Sequence, residues 1–145
     1  IVKNETPDVC KGCGGCCKSQ PGGYSPDQFS NKQEIVDLLV SGKAIVDWWV
    51  AGMKNVYFLR PRKSTEGTYH AASWPPKGDC IHLTEKGCSL SWNDRPHNCK
   101  TLRAFAPREC DSIYEQAPKK LISYAWDRSE FSLEEIVDEI GYDLP

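Results

Sequence analysis

Helical spacing of apolar residues is the first pattern along this chain of 145 residues. Between 26 and 41, isoleucine, valine and leucine recur on one face of a helix, as packing against a core requires. Ser25 and Asn31 each precede a possible first turn, and Gly42 follows at a plausible end. The pattern therefore predicts one or two consecutive helices between 26 and 41.

A β-hairpin is predicted directly after this helical region. Residues 44–50 and 56–60 are rich in β-branched and aromatic side chains, and a short segment containing glycine and asparagine connects them. Trp48 and Trp49 should point to opposite faces of the first strand, where both would serve packing. Residues 68–74 are expected to add a third short strand.

The second half of the chain combines short strand signals with helices. Residues 84–87 are predicted to form a hairpin turn between two short arms, and 95–105 to form a helix that begins at an Arg-Pro pair. Further helices are expected at 112–116, at 118–127 and, after a capping box, at 133–140. Strand and helix signals together predict an α+β fold.

Composition and charge exclude some classes of partner. Hydrophobic residues make up 39% of the chain, and the formal net charge is −2. Nucleic-acid-binding domains usually carry a basic excess, so this balance argues against a nucleic acid. No apolar run approaches the roughly 18 residues that a membrane helix requires, and the start of the chain shows no signal-peptide pattern. We therefore expect a protein without membrane association.

The count of eight cysteines determines the class of protein. Four of them lie within eight residues, among glycines that let the backbone fold tightly around a small object: Cys10, Cys13, Cys16 and Cys17. Thiolates are soft ligands suited to zinc and iron. A disulfide framework usually spreads its cysteines along the chain, and adjacent cysteines pair poorly, so the run favours a metal over disulfides.

The other four cysteines are spaced more widely, at Cys80, Cys88, Cys99 and Cys110. Side chains of adjacent cysteines in the first run point in different directions, so they should serve different ions or different metals of one cluster. We therefore expect eight thiols to divide into two four-ligand sites that share the first loop. For Cys110 the alternative is a buried thiol that binds no metal.

Histidines and arginines lie beside the second group of cysteines. His82 and His97 are possible extra ligands, because imidazole binds zinc, although eight thiols do not require them. Arg95 and Arg103 flank the predicted helix at 95–105 and could stabilise the negative charge of thiolates, or simply be solvated. His70 is expected at the surface or in packing.

Zinc and iron–sulfur chemistry both stay open at this point. The C-x2-C-x2-C spacing is similar to the run that holds three corners of a 4Fe-4S cubane in bacterial ferredoxins, although Cys17 follows here in place of x3-C-P. This spacing and the presence of eight thiolates together favour at least one iron–sulfur cluster. A small scaffold of helices and a hairpin also accepts two zinc ions.

These elements predict one domain, 1–145, centred on the metal, with a short antiparallel sheet or hairpin and several helices around it. Within it we distinguish a cysteine loop at 10–23, a second cluster at 80–110 and a helical C-terminal tail at 111–145. Because the apolar fraction is lowish, we expect removal of the metal to unfold most of the chain.

A family resemblance follows from these residues. The matching positions are Cys10-x2-Cys13-Gly14-x-Cys16-Cys17, Cys80-x2-Leu83, Gly87-Cys88-x-Leu90, Arg95-Pro96-x2-Cys99 and Phe105. In this order and spacing the chain resembles the YkgJ-like cysteine-cluster proteins, described as zinc- or iron-chelating domains. Ser91-Trp92 departs from the hydrophobic or aromatic pair expected there. The resemblance implies metal binding in a cytoplasmic, mostly bacterial setting and leaves the activity open.

Three functions are compatible with the sequence. We favour a metal-binding protein, structural or redox-active, that acts with another protein. The second is a metal- or iron–sulfur-dependent enzyme or subunit of unknown substrate, which needs an open coordination position. The third is a zinc module whose basic surface at Lys54, Arg60, Arg62 and Lys63 binds nucleic acid. The sequence carries no signal for the oligomeric state.

Overall fold

The computed structural model describes residues 22–71, 78–101 and 116–145. Across this part of the chain the fold is α+β, as predicted, with a three-stranded sheet, a two-stranded hairpin and four helices. The strands are β1 Ala44–Ala51, β2 Lys54–Pro61, β3 Tyr69–His70, β4 Leu83–Thr84 and β5 Gly87–Cys88. The helices are α1 Lys32–Val40, α2 His97–Thr101, α3 Gln116–Asp127 and α4 Leu133–Ile140, with 3₁₀ turns at Pro26–Gln28 and Trp92–Asp94.

The helical region predicted at 26–41 is confirmed as two consecutive pieces, a 3₁₀ turn and α1. Asn31 caps α1, because its side-chain oxygen accepts a backbone N–H of the first turn at 3.1 Å. Gly42 follows the helix with φ 74°, a conformation that favours glycine. One face of α1 buries Ile35 and Leu39, and the helix packs against β1.

β1 and β2 form the predicted antiparallel hairpin, with Ala51 opposite Lys54 at the turn. The connection is shorter than the predicted loop at 51–55, because Gly52 takes φ 67° and permits a two-residue turn. β3 lies within the third strand predicted at 68–74 and pairs in parallel with the first half of β1. The later residues of that predicted strand lie outside the described ranges.

Trp48 and Trp49 pack on different neighbours, as their predicted opposite orientations require. Trp49 donates its ring N–H to the Ser123 hydroxyl at 2.8 Å and meets the Tyr124 ring edge-on at 5.9 Å between centroids. The Trp48 ring lies 6.3 Å from the ring of His70, which gives that histidine the packing role expected of it.

The segment that carries the second cysteine cluster follows the predicted order with shorter elements. β4 and β5 form the hairpin, and Gly87 has φ 96° where the second strand begins. The helix predicted at 95–105 begins at His97, immediately after Pro96. Arg95 is extended, with φ −70° and ψ 145°, because a residue before proline is held away from the helical region.

Two helices follow the second gap in the described residues. α3 begins at Gln116, two residues before the predicted start at Pro118. α4 has the predicted cap, since the Ser132 hydroxyl accepts a first-turn N–H at 3.3 Å, and Gly141 ends it with φ 100°. Almost all of the helix predicted at 112–116 lies outside the described ranges.

An apolar core lies between the sheet and helices α1, α3 and α4. Its buried members are Tyr24, Ile35, Leu39, Ala44, Val46, Phe58, Leu59, Ile122, Trp126, Leu133, Ile136 and Val137. In the described part of the chain, no member of this core comes from 78–101. The large apolar side chains of the described residues thus pack together at the sheet, and the arrangement centred on a metal stays a prediction.

None of the helices within the described ranges combines the length and the apolar character that crossing a membrane requires.

Candidate metal centre

Three of the eight predicted cysteine ligands, Cys80, Cys88 and Cys99, lie in the described part of the chain. Arg103 lies outside it, as do the other five predicted ligands: Cys10, Cys13, Cys16, Cys17 and Cys110. No disulfide joins any two of the three described cysteines.

Cys80 is buried, and the loop that follows β2 holds its backbone. It forms an antiparallel bridge with Lys63. Two backbone hydrogen bonds flank the bridge. The N–H of Ser64 donates to the carbonyl oxygen of Asp79 at 2.8 Å, and the N–H of Ile81 donates to the carbonyl oxygen of Arg62 at 3.0 Å. The position of Cys80 therefore depends on the conformation of this loop.

Cys88 is half-buried on β5, opposite Leu83 on β4. The Thr84 hydroxyl donates to the Gly87 carbonyl oxygen at 2.7 Å and closes the hairpin turn. The backbone N–H of Leu83 donates to the carbonyl oxygen of Cys80 at 2.9 Å. One short hydrogen-bonded unit thus carries two of the cysteines, as the sequence predicts.

Cys99 lies in α2 against the chain that leaves the first cysteine loop. Its Sγ is 3.9 Å from the carbonyl oxygen of Gly22, and Asn98 donates its backbone N–H to the carbonyl oxygen of Gly23 at 3.1 Å. A Cβ atom on Gly22 would lie 2.5 Å from the backbone nitrogen of Cys99, so only glycine fits there. This contact brings the end of the first loop to the second cluster.

The Tyr24 phenol is the group that the three described thiols have in common. Burial raises the pKa of Tyr24 above its ordinary value, and the charges of Cys99, Cys80, Cys88 and Asp94 raise it further. The three described thiols thus change the pKa of Tyr24 in the same direction as its burial does. Sequence reasoning did not single out Tyr24, and its only signal was an aromatic residue with a polar end directly after the loop.

The Gln28 side chain ties the residues after the first loop to the start of α2. Its Oε1 accepts the backbone N–H groups of Ser25 at 2.9 Å and His97 at 2.8 Å. Its Nε2 donates to the carbonyl oxygen of Arg95 at 3.0 Å. Gln28 thus completes the capping box of the 3₁₀ turn at Pro26–Gln28 and also joins two segments that are distant in the chain.

Arg95, predicted to lie beside the thiolates, is buried and supports the turn before α2. Its Nε donates to the Leu90 carbonyl oxygen at 3.3 Å, and its guanidinium lies 5.5 Å from the centre of the Trp92 ring. Neither of these two contacts is to a cysteine. Its role in stabilising thiolate charge stays a prediction.

Of the two predicted histidine ligands, His82 has the environment that suits a ligand better. Its Nε2 is buried and has no hydrogen-bond partner in the described part of the chain. Burial, and then the charge of Lys43, lower the pKa of His82, which favours the neutral imidazole. His97 is exposed at the start of α2.

An open cavity of about 300 Å³ lies beside Tyr24 and His82. Its walls combine apolar and polar side chains: Gln28, Phe29, Leu38, Lys43, Leu90, Asn93 and Asp94. Two of the lining residues, His82 and Leu90, each follow a described cysteine by two positions in the sequence.

A buried ion-pair network lies at the base of the loop that holds Cys80. Arg60, 0% exposed, donates from Nε to Asp47 at 2.8 Å and from its terminal nitrogens to the two Glu66 oxygens at 2.8 and 2.7 Å. Burial alone would lower the pKa of Arg60, but Glu66 and Asp47 raise it above its ordinary value. Lys63 is also buried, so two of the four members of the predicted basic surface are withdrawn from solvent.

Within the described ranges, no three His, Cys, Asp or Glu side chains are arranged to hold a metal ion. Cys80, Cys88 and Cys99 act on one phenol without forming a complete ligand set on their own. The predicted four-ligand sites therefore require cysteines outside those ranges, and their composition stays a prediction.

No protein-family model, no curated protein and no solved structure matches this chain. The resemblance to the YkgJ-like proteins stays a prediction from the spacing of cysteines, and the function is argued from the residues themselves.

Proposed function

We propose that this chain is a metal-binding protein whose cysteines hold zinc or an iron–sulfur centre, structural or redox-active, and that it acts with another protein. The observation that carries the proposal is the contact between Cys99 and Gly22, which brings the end of the first cysteine loop to the second cluster. The described thiols of that cluster, Cys80, Cys88 and Cys99, come from a bridge, a hairpin and a helix. Gathering soft donors from separate segments is how a chain builds a thiolate metal site.

The path of the first cysteine loop supports a shared centre. Cys17 and Gly22 are five positions apart in the sequence, so their Cα atoms are at most about 18 Å apart. Gly22 itself contacts Cys99. The covalent chain therefore keeps the first cluster within reach of the second, as two sites that share ligands require.

The donor chemistry fits both candidate metals. Thiolates bind zinc and iron, and the neutral ring nitrogen of His82 is a form that binds zinc. When bound, zinc would cross-link the segments, whereas an iron–sulfur cluster would also supply one-electron chemistry. The residues assigned to the centre are the eight cysteines, with His82 as the favoured extra ligand.

The setting that suits these thiols is a reducing cytoplasm, which keeps them available as ligands. We place the chain in the YkgJ-like family on the order and spacing of its cysteines together with the Arg95-Pro96 pair. The protein partner follows from the lack of a catalytic signature in the sequence. A nucleic-acid partner is not part of the proposal, because Arg60 and Lys63 are buried.

The test is metal analysis of full-length protein purified without oxygen. We expect zinc, or iron with inorganic sulfide, at one or more equivalents per chain, and lower content in the Cys99→Ser variant. A visible absorption spectrum separates the two metals, because zinc is colourless and an iron–sulfur cluster is brown. Wild-type protein without stoichiometric zinc or iron would refute the proposal.

A second candidate, a metal-dependent enzyme, is favoured by the cavity beside Tyr24 and His82. Catalytic metals keep an open coordination position, so an external ligand can bind them. Imidazole added to cobalt-substituted protein should then change the visible spectrum. An unchanged spectrum at saturating imidazole would favour the first function.

A further inference from the structure

A second open cavity, of about 410 Å³, lies between β2 and the connection from α3 to α4, and we call it the β2 cavity. We propose that it docks a short, extended, basic segment of the protein partner. The segment pairs with the edge of β2 and directs lysine or arginine side chains to three carboxylates. The inference rests on the partner named in the proposed function, adds a docking surface for it and does not depend on the metal.

The β2 cavity lies along an edge of the three-stranded sheet. β2 is an edge strand, with β1 as its one neighbour in that sheet. The four consecutive residues 54–57 of β2 all line the cavity, and among the described residues none from β1 does. Successive side chains of a strand point to opposite faces. A cavity that meets all four residues therefore lies beside the strand and not above one face of it.

The backbone of β2 presents unpaired groups on this side. The Leu59 carbonyl oxygen accepts the N–H of Tyr24 at 2.8 Å, and Val46, opposite Leu59, likewise accepts an N–H from outside the β1–β2 ladder. Residues whose backbone points outward alternate along an antiparallel strand, so Tyr57 and Asn55 point outward as well. Within the described residues, the outward N–H and C=O groups of these two form no hydrogen bond.

The paired stretch should be short. At one end Tyr24 already occupies the Leu59 carbonyl oxygen, and at the other end β2 begins directly after the turn at Gly52. Asn55 and Tyr57 between them offer two N–H and two C=O groups to an added strand. Main-chain hydrogen bonds of this kind give affinity for extended segments, and the pockets beside them select the side chains.

The apolar lining of the β2 cavity is already packed. Val56, Trp126 and Leu133 are buried, and the half-buried ring of Phe131 lies 6.3 Å from that of Trp126 between centroids. A segment would therefore dock on a preformed surface. The methylene stem of a lysine or arginine can lie on such a surface while its charged end stays in water.

Charge determines which segment suits this surface. The lining carries three exposed carboxylates, Asp127, Glu130 and Glu134, and one ammonium group, Lys54. Among the described residues, none of the three carboxylates has an ion-pair or hydrogen-bond partner. They are not arranged to hold one metal ion, so they suit a ligand that carries positive charges at intervals. An acidic segment would be repelled.

The experiment measures binding of a fluorescein-labelled peptide of alternating threonine and lysine to the full-length protein by fluorescence anisotropy. We expect saturable binding that weakens as salt is added, and no binding of the same peptide with glutamate in place of lysine. Removal of the three carboxylates together should weaken binding about 10-fold. That variant is Asp127→Asn/Glu130→Gln/Glu134→Gln.

The matched control removes three exposed carboxylates that do not line the β2 cavity: Glu135→Gln/Asp138→Asn/Asp143→Asn. It changes the net charge by the same amount, so it should bind the peptide as wild type does. Circular dichroism should report the same fold for both variants. Equal losses of binding in the two variants would indicate general attraction between charges and would overturn the docking site.

A second peptide tests the backbone pairing. N-methylation of its central backbone nitrogens keeps every lysine but removes the donors that β2 would accept, so binding should be lost. Equal binding of the methylated peptide would overturn strand addition. Sedimentation that shows a dimer of wild type, abolished in the cavity variant, would assign the surface to a second copy of this chain and also overturn the proposal.

The outcomes keep the docking site and the metal centre apart. If the unmodified basic peptide shows no saturable binding, the docking site is refuted, while metal analysis still decides the metal centre. If wild-type protein contains no metal but binds the peptide at the three carboxylates, the metal centre is refuted and the docking site is supported.

Discussion

The core at the sheet and the segment 78–101 are stabilised in different ways. The core buries large apolar side chains from three helices and two strands. In 78–101, by contrast, the buried apolar side chains are Cys80, Trp92 and Pro96, and Arg95 and Asn98 are buried as well. Individual hydrogen bonds from the rest of the protein hold this segment. The contrast implies that the core can fold by apolar burial, while the cysteine-bearing segment needs added cross-links.

Removal of the metal should give the largest difference in behaviour between the two regions. The expectation from composition alone is unfolding of most of the chain, but the core packs without members from 78–101 in the described residues. We therefore expect amide exchange after chelation to become fast in α2 and in the β4–β5 hairpin, while α1 and the β1–β2 hairpin stay protected. If amide protection were instead lost throughout the chain, the result would support an interior centred on the metal.

Arg60→Met should be the most damaging single substitution, because Arg60 serves both regions. It would leave the buried carboxylates of Asp47 and Glu66 without their cation, which typically costs 3–5 kcal/mol. Urea denaturation should show the loss. The control is Lys32→Met, which removes an exposed ion pair with Glu139 and should cost about 1 kcal/mol or less. Similar losses in the two variants would contradict the importance of burial.

Leu39→Ala should weaken the core alone. Leu39 is fully buried on α1, so the substitution leaves a cavity and should cost about 3 kcal/mol in unfolding free energy. The neighbouring Val40 is exposed, and Val40→Ala should change stability by no more than about 0.5 kcal/mol. Both variants should keep the metal content of wild type under folding conditions. Metal loss from Leu39→Ala while it is still folded would argue that the regions are not separable.

Gln28→Ala should act mainly on the cysteine-bearing segment. It removes the partner of two backbone N–H groups and of the Arg95 carbonyl oxygen, a loss of about 1–3 kcal/mol. Faster amide exchange at the start of α2, with α1 unchanged, is the expected readout. Gln33→Ala is the matched control, because within the described residues the Gln33 side chain bonds to exposed Asp37 on the same helix and to no other segment. Equal exchange in the two variants would count against the joining role of Gln28.

The parts of the fold that the sequence predicts well depend on signals between near neighbours. Asn31 and Gly42 bound α1, and Ser132 and Gly141 bound α4, because caps and left-handed glycines act within a few residues. The Arg-Pro pair predicts a start of α2 two residues too early, because the residue before a proline is held extended and the helix begins at His97.

Features that join distant residues were not predictable in the same way. A charged residue in a strand suggests a surface position, so Arg60 was assigned to a basic surface; its partner Glu66 lies in a loop and its partner Asp47 on the neighbouring strand. Tyr24 and Gln28 meet partners that lie about seventy or more residues away in the chain. For the candidate site, spacing identified the cysteines, but it gave no sign of the phenol on which three of them act.

Gly22 has a consequence for protein engineering. Any side chain at this position would collide with the backbone nitrogen of Cys99, so the exit of the first loop and the start of α2 form one module. A transplant of the cysteine loop into another scaffold would have to carry both halves of that contact. Tandem copies or circular permutants should likewise be cut elsewhere, for example at the β1–β2 turn, where Gly52 has open space around it.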